Sequence, residues 1–171
     1  MFNNLSEKEI LKRLNKNGRE KEIAHIPSSD NFYLYFLSNF EGIEITPDIH
    51  VFGNEDAIRE NQYLEFNYPD IANFFWLIGS SGQGDKWLIK KGKGTICFYD
   101  HDQGEYVATA NFTDLSISFL EFLQMAFLFA DLEKVLDEQD DEIQEQQKDE
   151  FKETLSAIND KLSELYPYQY F

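Results

Sequence analysis

The chain carries a single cysteine in 171 residues, so no intramolecular disulfide can form. That excludes a disulfide-stapled domain and fits a reducing compartment. Cys97 sits in the apolar run Thr95-Ile96-Cys97-Phe98-Tyr99, the setting of a buried structural thiol rather than a nucleophile. Basic residues are also scarce: 15 Lys and Arg stand against 32 Asp and Glu, a formal charge of −17. A field of that sign repels nucleic-acid phosphates and anionic membranes, and it speeds encounters with basic proteins. Lys86, Lys90, Lys91 and Lys93 form the only local cluster of cations. Neither nucleic acid nor membrane is therefore an expected partner. Long hydrophobic runs are missing as well. The longest apolar stretch, residues 119–132, is interrupted by Glu121, Gln124 and Asp131 and is too short and polar to span a bilayer. Residues 1–10 lack the apolar centre of a signal peptide, and the expected location is the cytoplasm.

Catalytic and cofactor motifs are equally sparse. None of His25, His50 and His101 is followed by a second His or Cys at zinc-ligand spacing. His101 lies in Asp100-His101-Asp102, which could hold a metal or a general base but reads first as a polar hairpin tip. The glycine-rich segment 79–86 looks like a phosphate loop, yet its spacing differs from a P-loop and no Ser or Thr follows Lys86. Ser80 and Ser81 are not in a nucleophile elbow. The acidic run at 137–142 lacks the alternating ligands and central glycine of an EF-hand. No catalytic residue, cofactor or metal is expected.

What the chain does have is aromatic bulk. Sixteen Phe and nine Tyr, concentrated between Phe32 and Phe129, point to an aromatic core. Ser6 and Glu9 form a capping box ahead of Ile10, Leu11 and Leu14, which mark a short helix. Ser28-Ser29-Asp30 opens a second helix with Phe32, Tyr33, Phe36, Leu37 and Phe40 on one face. Strands are predicted at 43–45 and 49–52 around the turn Pro47-Asp48, then a short helix at 55–63. Four further strands, at 74–78, 87–89, 95–99 and 106–110, are joined by short turns and predict an antiparallel meander. A largely buried helix follows from Ser118 to about Leu136. Beyond it the composition changes: residues 133–153 hold ten acids against three lysines. Phe151, Leu155, Ile158, Leu162 and Leu165 then form a narrow apolar seam on a C-terminal helix, docked on the domain or on a partner. The tail Tyr166-Pro167-Tyr168-Gln169-Tyr170-Phe171 is expected to pack somewhere.

Four pieces in order resemble the SMI1/KNR4 (SUKH) superfamily. Ile26-Pro27-Ser28-Ser29 with the helix through Phe36-Leu37-Ser38-Asn39-Phe40 is similar to its opening. Ile49-His50-Val51-Phe52-Gly53 follows, then the strand pair from Phe75-Trp76-Leu77-Ile78-Gly79 through Gly84-Asp85-Lys86-Trp87-Leu88-Ile89. Residues 94–101 and the helix ending Phe119-Leu120-Glu121-Phe122-Leu123 complete the match, which spans about two thirds of the chain. The chain departs from the family in reading Asn39-Phe40-Glu41-Gly42 where an Asn-Gly or Gly-Gly pair is usual, and in the helix from about residue 144. The resemblance implies an α+β fold, a bent antiparallel sheet flanked by helices. It also implies a bacterial immunity protein that neutralises a polymorphic or contact-dependent toxin by binding it. Many such toxins are nucleases, which tend to be basic, and an inhibitor of charge −17 suits them.

The expected organisation is a SUKH-like domain over 1–136, with residues 137–171 appended as an acidic segment and an amphipathic helix. Two other readings compete: a regulatory or scaffold module that docks or homodimerises through the C-terminal helix, and an enzyme with an unrecognised carboxylate site. The acidic face expected to meet a protein partner draws on Asp70, Asp85, Asp100, Asp102 and Glu105, near turns of the predicted sheet.

Overall fold

Capping chemistry sets the helices. The computed structural model describes residues 2–23, 26–139 and 143–171; His25 and residues 140–142, the second half of the acidic run at 137–142, lie outside them. Helix α1 (Glu7–Arg13) begins where the Glu9 carboxylate accepts from the Ser6 amide (2.8 Å) and hydroxyl (2.6 Å). Helix α2 (Asn31–Asn39) is capped by Asp30, whose Oδ1 accepts from the Tyr33 amide at 2.9 Å. The other oxygen of Asp30 accepts from the Phe119 amide at 2.9 Å, at the first turn of helix α5 (Phe119–Glu138). One carboxylate thus faces the positive ends of two helix dipoles and ties α2 to α5. Ser118 and Glu121 add a capping box to α5.

The sheet is a six-stranded antiparallel meander in chain order: β1 (Ile43–Thr46), β2 (Ile49–Val51), β3 (Phe75–Ser80), β4 (Lys86–Lys90), β5 (Ile96–Tyr99) and β6 (Thr113–Asp114). Helices α3 (Asn54–Asn67) and α4 (Pro69–Ala72) are inserted between β2 and β3. Gly79 lets those two strands approach, since a Cβ there would lie 2.4 Å from the His50 carbonyl oxygen. The core is aromatic, as expected. Trp87, Tyr33, Phe36, Phe40, Phe119 and Phe122 are fully buried. Their polar ends are satisfied: the Trp76 indole donates to the Tyr33 hydroxyl (3.0 Å) and the Trp87 indole to the Asp48 carbonyl (2.9 Å).

Two elements differ from expectation. Residues 106–110 are not a strand. Gly104 turns the chain away at φ +79°, and the Tyr106 ring packs against Tyr68, Tyr99 and Phe112. Residues Thr109–Asn111 form a 3₁₀ turn, and Thr113–Asp114 pair with β5 instead. The segment Tyr106-Val107-Ala108-Thr109-Ala110 is apolar enough to read as a strand, but its one aromatic ring is held by aromatic neighbours and not by a sheet. The C-terminal seam is also not one helix. Asn159 is extended, and its side chain accepts from the Lys161 amide (3.0 Å), so the chain breaks into α6 (Glu145–Ile158) and α7 (Leu162–Leu165). Phe151, Leu155, Ile158 and Leu162 are buried in the same core as the sheet, and Tyr166 stacks on Phe129 with ring centroids 3.8 Å apart. The seam proposed for a homodimer is covered by the chain itself.

Two outcomes follow from this packing. A chain ended at residue 143 is expected to lose cooperative thermal unfolding, because Phe129 loses the cover of both Phe151 and Tyr166. Asn61→Ala tests a narrower point. The buried Asn61 amide donates to the Leu77 carbonyl (2.8 Å) and accepts from the Leu77 amide (2.7 Å), standing in for a strand partner. Its removal orphans both groups and should cost about 2–4 kcal/mol in denaturant unfolding.

Candidate functional site

The turn between β3 and β4 is built around one inward-facing carboxylate. Asp85, expected on an acidic binding face, is only 3% exposed. Its Oδ2 accepts from the Ser81 hydroxyl (2.9 Å) and the Tyr168 hydroxyl (2.5 Å). Its Oδ1 accepts from the His101 amide (3.0 Å) and lies 2.5 Å from His101 Nδ1. Burial pushes the Asp85 carboxyl up, but the hydrogen bonds from Tyr168, His101 and Ser81 together outweigh it and hold the group below the ordinary carboxylate range. The same contact with Asp85 raises the His101 imidazole, and Asp102 adds to it from 3.3 Å on Nε2. Asp85 therefore pins the His101–Gln103 3₁₀ turn and the C-terminal tail to the end of the sheet.

This arrangement does not make a hydrolytic triad. Ser81 bonds to the carboxylate and not to the imidazole, so the serine–imidazole contact of a triad is not made. Asp85, Asp100 and His101 place one ligand atom each within 4.8 Å of one another. The Asp85 lone pairs and His101 Nδ1 are already committed to each other and to Ser81 and Tyr168. Burial pushes the Cys97 thiol up to about 12, leaving it an inert core group.

Beside this hub the fold opens a cleft of about 330 Å³ between helices α3–α4 and the segment after β5. Tyr63, Tyr68, Tyr99 and Tyr106 line it, with Lys86, His101 and Glu105. Tyr68 and Tyr106 meet edge to face at 5.0 Å, and Tyr99 and Tyr106 lie 4.7 Å apart. The Tyr99 hydroxyl donates to the carbonyls of Glu105 (3.0 Å) and Gly104 (3.3 Å), which sets the cleft wall. Three apolar groups stand in water: Tyr63 of the cleft lining is 61% exposed, Phe66, three residues along α3, 87%, and Val107, next to Tyr106, 80%. Carboxylates lie close to the cleft. Asp100, Asp102 and Glu105 follow β5 directly, and Glu60 lies close enough to act on the Tyr106 hydroxyl. Asp70 is exposed on α4, and no hydrogen bond or ion pair among the described residues joins it to the others.

Compared with family models, curated proteins and solved structures, the chain finds no match in any of the three.

Asp100, Asp102 and Glu105 thus share one end of the molecule and Asp85 lies beneath them, while Asp70 stands on α4, two residues after the cleft-lining Tyr68. The aromatic half of the surface was not anticipated. Its signal was present: Ala57, Asn61 and Leu64 form the buried stripe of α3, and Tyr63 and Phe66, three apart, fall off it. Among the described residues no helix is long and apolar enough to cross a membrane.

The His101–Asp85 pair makes the stability of this end depend on pH. His101 is raised in the folded state, so its contribution is complete below about pH 6.5 and is lost as pH rises through its higher folded value. Asp85 is lowered, so its contribution is complete above about pH 4 and is lost as pH falls further. The stability difference between the parent chain and His101→Ala, measured by urea unfolding, should be level at pH 5–6 and shrink above pH 7. A difference that grows with pH would contradict the pairing.

Proposed function

We propose that this chain is an immunity-type protein of the SUKH kind, which binds a cognate basic toxin domain in the cytoplasm and blocks it without chemistry of its own. The observation that carries the reading is the exposed aromatic pair Tyr63 and Phe66 on α3, beside a cleft that Glu105 lines. Monomeric proteins seldom leave Phe and Tyr in water as a group, and such residues are the usual anchors of protein interfaces. Phe66, Tyr63 and Val107 supply that anchor surface. Carboxylates supply the second half: Asp100, Asp102 and Glu105, on a chain of charge −17, favour approach by a positively charged surface. The α+β architecture, an antiparallel sheet with helices packed on it, is of the class the SUKH resemblance implies. The scaffold alternative relied on the C-terminal seam, and those side chains are occupied in the core.

The test is calorimetry against the basic toxin domain encoded beside this chain, at low and high salt. Binding should be tight at low salt and weaken as salt rises. Phe66→Ala should weaken it by at least about tenfold through faster dissociation. Glu105→Lys should act mainly on the association rate. Absence of binding at either salt, with no protection of cells expressing the toxin, would reject the reading.

A further inference from the structure

We infer that the tyrosine cleft is a receptor for one arginine side chain presented by a basic protein partner. The inference rests on the protein-binding reading above and specifies how that surface takes hold.

Of the four rings in the lining, Tyr99 is buried and Tyr106 is packed between it, Tyr68 and Phe112, which leaves the exposed Tyr63 and the half-buried Tyr68 with faces open to a ligand. Aromatic faces carry negative charge density and attract cations, most strongly where water is partly excluded. A guanidinium is flat, stacks on tyrosine, and can fork onto a carboxylate at the same time. The cleft offers both elements: the rings of Tyr63 and Tyr68 and the carboxylate of Glu105 in its lining. Its volume of about 330 Å³ exceeds that of a single side chain. The hydroxyls of Tyr63, Tyr68 and Tyr106 make no hydrogen bond to the described residues, so their lone pairs are open to an incoming donor.

The local charge favours the same occupant. Two cations share the lining, Lys86 and His101. His101 is matched by Asp85 and by Asp102. Lys86 makes no ion pair among the described residues and opposes a second cation, but Glu105 shares its wall and Asp100 and Glu60 stand beside Tyr99 and Tyr106. Arg59 offsets part of Glu60, at 3.5 Å. Burial and then the neighbouring Glu105 raise the Tyr68 hydroxyl, and burial and then Asp100 raise that of Tyr99.

The probe is Nα-acetyl-arginine methylamide, with the citrulline counterpart as an uncharged analogue of the same shape. Both are titrated into the full chain carrying ring-labelled tyrosine and followed by NMR. The expected result is saturable movement of the Tyr63, Tyr68 and Tyr106 ring signals with the arginine probe and none with citrulline. Glu105→Gln and Tyr63→Ala, both at exposed positions, should each weaken it about two- to fivefold. Equal movement with citrulline, movement confined to residues outside the cleft, or no movement at all would overturn the inference. Toxin binding separates the two ideas. If the toxin binds and Tyr63→Ala with Glu105→Gln leaves its affinity unchanged, the cleft is wrong and the immunity reading stands. If the arginine probe binds the cleft and no toxin binds, the reverse holds.

Discussion

A carboxylate taken out of water must recover its hydrogen bonds, and Asp85 recovers four. Ser81 closes the β3–β4 turn on it, His101 brings the segment after β5 to it, and Tyr168 brings the C-terminal tail. Three segments distant in sequence therefore meet because one buried charge cannot be left unpaired. The cleft depends on this in turn. Tyr99, at the end of β5, and Tyr106, just past the pinned 3₁₀ turn, form its floor and wall only while that turn is held. The residue predicted to lie on an acidic binding face instead turns inward and positions its neighbours.

The C-terminal region works as cover for the core. Phe129 on α5 is contacted by Phe151 from α6 and by Tyr166 and Tyr170 from the tail. Tyr170 also donates to Glu133 at 2.5 Å, so the tail is held by polar as well as aromatic contacts. Burial raises Glu133, and the nearby Asp48 adds to the effect. An apolar seam read from sequence can be satisfied by a partner or by the same chain, and here the chain turns back at Asn159 and satisfies it alone. That leaves the aromatic patch on α3 and the 104–108 segment as the prominent apolar surface without cover.

Helix starts were legible because capping is local. Ser6 with Glu9, Asp30, and Ser118 with Glu121 each sit within three residues of the amides they serve. The strands from β1 to β5 were legible because their apolar runs and glycine-rich turns are contiguous. The strand expected at 106–110 failed for a different reason. The Tyr106 ring packs among Tyr68, Tyr99 and Phe112, and Tyr68, 38 positions away, is beyond the reach of a local pattern.

The sequence by itself determined the α+β class, the aromatic core, the acidity and the want of a recognisable catalytic motif, since each depends on composition or on spacing within a few residues. Only the tertiary structure decided that Asp85 turns inward, that the C-terminal seam closes on its own domain, and that four tyrosines from three segments converge beside Glu105. Those outcomes are choices among distant partners. Periodicity states that a face must be buried or a charge answered, and the packing of the whole chain determines by what.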